Sequence, residues 1–131
     1  MKRFITLAVC LATGLLSGAC NHQPENPVKS IIIKHTELGR QTLFKITCDN
    51  FDQYFKDAPS LTITSKDGIE NMANILNNLT GTEDTGLDVR ARIILTHADH
   101  KTDTACVGVN EMTYKGVFYK TPDGLLKVIE P

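Results

Sequence analysis

Two histidines and two aspartates crowd one short segment, Thr96-His97-Ala98-Asp99-His100-Lys101-Thr102-Asp103. Imidazole and carboxylate are the ligand types of a zinc site. An H-x-x-H pair on a turn fixes no ligand geometry, however, whereas two histidines one helical turn apart do. The expected reading is therefore a polar hairpin turn, with no resident metal or other cofactor. His97 and His100 remain the candidates for a metal or small-ligand site, and His35 joins them only if the first hairpin lies alongside. A second acidic set, Asp49, Asp52 and Asp57, has the residue types of an acid–base pair for hydrolysis. Its spacing matches a helix N-cap, a first-turn acid and an exposed helical end equally well. No G-x-S-x-G, G-x-G-x-x-G, P-loop or Asp-rich calcium loop occurs. A small hydrolase is thus the third-ranked function, and no catalytic residue is assigned.

Three aromatic residues, Tyr114, Phe118 and Tyr119, gather with Lys115 and Lys120 near the C-terminal end. On a regular strand some of them point away from the core, which makes the group a candidate binding surface. The alternative is packing of an edge strand against a closing helix.

Cysteine chemistry depends on the compartment, and the N-terminus supplies that. Lys2 and Arg3 precede an apolar run of about thirteen residues, Phe4 to Leu16, short of the ~20 needed to span a bilayer. Ser17, Gly18 and Ala19 then lead directly into Cys20. This arrangement resembles the lipobox of bacterial lipoproteins, with Ser17 where leucine is usual. The resemblance implies cleavage after Ala19, with Cys20 diacylated on sulfur as the new N-terminus. It further implies a chain exported and lipid-anchored to a bacterial membrane, and the lack of an acidic run after Cys20 favours the periplasmic side of the outer membrane. Residues 1–19 are then a signal peptide, 20–29 a lipidated tether with two prolines, and 30–131 one small domain.

With Cys10 lost in the leader and Cys20 acylated, Cys48 and Cys106 remain, and an even pair in an exported chain favours a disulfide. Closing a loop of about 58 residues is worth up to ~4 kcal/mol. The leader also takes two of the fourteen basic residues, leaving twelve against fifteen acidic ones and a net charge of −3. No basic run is present, and nucleic acid is not an expected partner.

The elements that must position these residues follow from periodicity. Ile31–Ile33 and the alternating Thr42–Cys48, with Phe44, Ile46 and Cys48 on one face, predict a hairpin over 31–48 around Leu38-Gly39-Arg40. A short helix should follow, capped by Asp49 and stopped by Pro59. Residues 60–64 alternate as a strand. Asp67 and Glu70 have capping-box spacing, and Ile69, Met72, Ala73, Leu76 and Leu79 share one face of a helix ending near Gly81. Val89, Ala91, Ile93 and Leu95 alternate with Arg90 and Arg92, predicting one buried and one wet face. Strands over 103–109 and over 112–119, the latter interrupted at Gly116, and a closing helix over 122–130 capped by Thr121, with a final strand as the alternative there, complete the order β-β-α-β-α-β-β-β-α. The fold class is α+β: a largely antiparallel sheet with one main amphipathic helix packed on one face and short accessory helices. This organisation is similar to that of many small bacterial lipoproteins of unknown function. The function expected is a membrane-tethered, non-enzymatic module that binds an envelope protein or a polysaccharide.

Overall fold

In β1 (Val28–His35) Ile31 and Ile33 are fully buried, while Ser30, Ile32 and Lys34 turn to the opposite side. The computed structural model describes residues 25–131; the expected signal peptide over 1–19 and the expected lipidation of Cys20 lie outside the described residues. After β1 come α1 (Phe51–Tyr54), β2 (Ser60–Ile63), α2 (Lys66–Asn77), β3 (Ala91–His97), β4 (Thr102–Val107), β5 (Glu111–Tyr114), β6 (Val117–Lys120) and α3 (Asp123–Ile129). The strands form one antiparallel sheet in the order β2-β1-β3-β4-β5-β6. The fold is α+β.

The main core fills one face of this sheet. Ile31, Ile33, Ile93, Leu95, Ala105, Val107 and Met112 pack there with Met72 and Leu76 of α2 and Leu125 and Ile129 of α3. The cover is thus shared by two helices. Ser65, in extended conformation, caps α2 by accepting the Gly68 N–H at 3.2 Å. Asp67, expected at the cap, instead sits in the first turn, where the helix dipole favours an acid. A second, smaller core lies on the reverse face, where Cys106 meets Ile46, Phe51, Phe55 and Val89.

The structure corrects several expectations. Residues 42–48 form no strand, so the hairpin over 31–48 does not exist. Both sides of β1 are already paired, with Ile33 opposite Ile93 on β3 and opposite Leu61 on β2. Residues 36–50 are left as a long irregular loop, and Phe44 points outward rather than inward with Ile46. The helix expected from Asp49 shrinks to one turn with Asn50 at its N-cap. The strand over 112–119 splits into the hairpin β5–β6. Lys115 (φ 50°) and Gly116 (φ 76°) occupy the two central positions of its turn, the conformation that tight hairpins require. Gly81 is no helix cap but bridges to Tyr119. Pro122, not Thr121, occupies the N-cap position of α3, with no side-chain cap bond, while the Thr121 hydroxyl donates to the Gly108 carbonyl at 2.9 Å. Arg90, expected on the wet face, is buried.

Candidate interaction surface

The loop over 36–50 has no regular structure, yet it is bonded along its length. Arg90, 5% exposed, directs its guanidinium into the loop and uses all five N–H donors. Nε donates to the Arg40 carbonyl at 2.8 Å. Nη1 reaches Asp88 Oδ1 and the Val89 carbonyl, and Nη2 reaches Asp88 Oδ2 and the Thr42 hydroxyl. Asp88 Oδ1 also accepts the Ile46 N–H at 2.8 Å, and the Val89 N–H donates to the Ile46 carbonyl at 2.9 Å. Burial by itself would raise the Asp88 carboxyl. Bonds from Arg90 and Ile46 outweigh it and hold the group below the usual carboxylate range. At the C-terminal side of the loop Cys48 and Cys106 stand at disulfide distance, their Cα atoms 5.7 Å apart.

What this scaffold holds outward is apolar. Leu43 is 98% exposed and Phe44 53%. Tyr54 of α1, 46% exposed, meets Phe44 with ring centroids 5.0 Å apart. The Thr42 hydroxyl accepts from Arg90 and donates to the Phe44 carbonyl at 2.8 Å, so the loop tip is coupled directly to the buried guanidinium. Apolar side chains held outward on a stapled loop are a typical binding feature, because folding gains nothing by exposing them. Arg40 stands between two clefts beside this tip. One, of about 300 Å³, is lined by Gln41, Thr85, Asp88, Arg90 and Glu111. The other, of about 480 Å³, is lined by Thr36, Phe55, Lys56 and Asp57. Gly108 borders the first cleft, and a Cβ there would lie 2.7 Å from the Asp88 carbonyl oxygen. Only glycine admits that close approach.

The residues singled out by sequence are placed differently. His97 uses both ring nitrogens on acceptors: Nε2 on Asp103 Oδ2 at 2.8 Å and Nδ1 on the Asn26 carbonyl at 3.0 Å. Two acceptors call for two ring protons, and the Asp103 bond first and the Asn26 bond second raise its pKa above the ordinary value. An imidazole so engaged has no lone pair for a metal. His100 is exposed on the β3–β4 turn with φ 68°. His35 lies at the far end of β1: Val28 pairs with His97, whereas His35 pairs with Ala91. The three histidines therefore do not converge, and among the described residues no group of three His, Cys, Asp or Glu could hold an ion. Asp52 is consumed by Lys34 and Arg92, while Asp49 and Asp57 are exposed.

The aromatic group also divides. Tyr114 and Tyr119 are half-buried against the main core, whereas Phe118, opposite Thr113, turns to the reverse face. Sequence reasoning missed Leu43, Tyr54, Asp88 and Glu111 and misplaced Phe44 and Arg90. One signal was available, since adjacent Leu43 and Phe44 break the alternation of Thr42–Cys48 and cannot share one strand face. No protein-family model matches the chain, and comparison with curated proteins and with solved structures likewise found no match.

Proposed function

We propose that this chain is a lipid-anchored, non-enzymatic binding module of the bacterial envelope, tethered through Cys20 and docking a protein partner on Leu43, Phe44 and Tyr54. The observation that carries the reading is a nearly fully exposed leucine and its aromatic neighbours on a loop that Arg90, Asp88 and the Cys48–Cys106 pair hold in place. Pre-ordering such a tip lowers the entropy lost on binding.

The direction of β1 supports the same reading. Asn26 is fixed at the β3–β4 turn, where its carbonyl takes His97 and its side-chain oxygen takes the Asp99 N–H. Cys20 is six residues upstream, a reach of at most about 20 Å. From there β1 runs eight residues, about 26 Å, toward the loop over 36–50. A bilayer held at the turn leaves the apolar tip at the opposite end, facing the periplasm if the anchor is in the outer membrane. In this reading α2 acts as the main amphipathic cover of the sheet and keeps the core face from competing as a docking surface.

The test uses the full-length chain in its own envelope with a photo-crosslinker at Phe44 and, as control, at Lys66. One discrete adduct from position 44, absent from 66 and abolished by Leu43→Ala, is the expected result. Equal adducts at both positions, or none, would remove the docking reading. Fatty-acid labelling lost in Cys20→Ser, together with release from the membrane, checks the anchor separately.

A further inference from the structure

Two charged residues among those described are buried, Arg90 and Glu111. Arg90 has Asp88 as its counter-ion. Glu111 has none: no Lys, Arg or His among the described residues makes an ion pair with it. Its Oε2 accepts the Thr85 N–H and the Thr85 hydroxyl, each at 3.1 Å, and no bond within the described protein engages Oε1. Lys120 is its cross-strand neighbour on β6 but is exposed and stays apart. Arg40 borders the same cleft, yet its guanidinium lies over the Phe55 ring and donates to Thr36, on the side of the second cleft. The Asp88–Arg90 pair is internally neutral, and the Lys45 ammonium stands by Gly86 and Asp88 at the rim of the cleft without pairing with Glu111. Oε1 keeps contact with solvent through the cleft, where a cation would meet a free acceptor in a partly dehydrated site.

This carboxylate lines the 300 Å³ cleft together with Gln41, two residues from Leu43. We propose that the cleft receives a lysine or arginine side chain of the partner that docks on Leu43 and Phe44, its cationic head pairing with Glu111. The inference rests on the docking reading and gives the partner its chemistry: an apolar seat for Leu43 and Phe44 beside a protruding basic residue. Glu111 would favour a cationic head over an uncharged one of the same length, because only the cation pairs with its carboxylate.

Two experiments decide it. In the first, n-butylammonium, n-butylguanidinium and neutral 1-pentanol are titrated onto the isotopically labelled full chain in detergent, reading the Thr85, Gly108 and Glu111 amide resonances. The two cations should give saturable shifts, the alcohol should not, and Glu111→Gln, whose carbonyl can still accept from Thr85, should abolish them. No saturable shift, or an equal response to the alcohol, overturns the proposal even if the variant fails to fold. In the second, the adduct from position 44 should fall about tenfold in Glu111→Gln; an unchanged yield in a folded variant also overturns it. Absence of any adduct in the Glu111 protein instead removes the docking reading, whatever the titration gives.

Discussion

The Arg90 guanidinium meets both oxygens of Asp88, two residues before it in the chain, at 2.7 Å each. Asp88 is half-exposed and Arg90 is not, so the pair is anchored on its cationic side, and it is the arginine that joins the sheet to the loop. Arg90→Met keeps most of the packing volume while leaving the Arg40 and Val89 carbonyls without donors. A loss of about 2–4 kcal/mol is expected, toward the lower end because Asp88 can be rehydrated. Urea unfolding measures it, and Arg90→Lys should recover only part, since an ammonium cannot span Asp88, Arg40 and Thr42 together.

Leu43→Ala and Phe44→Ala should behave in the opposite way. Leu43 has almost no packing to lose, so its unfolding free energy should stay within about 0.5 kcal/mol of the starting protein. Binding of the crosslinked partner should weaken by at least about tenfold in each, as expected of anchor residues. Substantial destabilisation by Leu43→Ala would mean that the tip is packed in solution, contrary to its exposure.

Removing the Cys48–Cys106 link by a double alanine substitution frees a loop closed across 58 residues. The expected cost is up to about 4 kcal/mol. Hydrogen exchange should quicken first at the Ile46 and Val89 amides, whose bonds tie the loop to the sheet next to the link. Uniform quickening across β1 and β3 would count against a local role.

His97 gives the fold a pH dependence of definite sign. Asp103 and the Asn26 carbonyl raise its pKa above 6.5, with Asp99 adding and burial opposing. The charged ring contributes fully below about pH 6.5, its unfolded value, and the contribution fades as pH rises through the higher folded value. The stability gap between this protein and His97→Gln should therefore be largest at pH 5.5–6 and should narrow toward pH 8.5. Protection of the Ala98 and Asp99 amides, bonded to Pro27 and Asn26, should fall over the same interval once the base-catalysed rise of the intrinsic exchange rate is divided out. A gap independent of pH would show that His97 holds its proton equally well folded and unfolded, and a gap that shrinks toward acid pH that the folded ring is neutral.

The order and type of most elements were legible in the sequence because they rest on local pattern. Alternation of Ala91, Ile93 and Leu95 marks a half-buried strand wherever it is placed, and the Met72–Leu76 spacing marks a helix face. The two cysteines were legible too, since an even pair in the domain favours pairing and they stand at disulfide distance. What failed was pairing and direction. From Phe44 to Cys48 the chain alternates as well as β2 does, but strand pairing is a competition for edges, and β1 has just two. Ile33 and Ile31 pair with Ile93 and Leu95 on β3 and with Leu61 and Ile63 on β2, so nothing remained for residues 42–48. Whether Arg90 faces water or the interior was likewise a tertiary matter, decided by Asp88, Arg40 and Thr42 offering acceptors that repay its dehydration. Local pattern set which segments are strand or helix; long-range competition for edges, counter-ions and acceptors decided which residues the molecule shows to a partner.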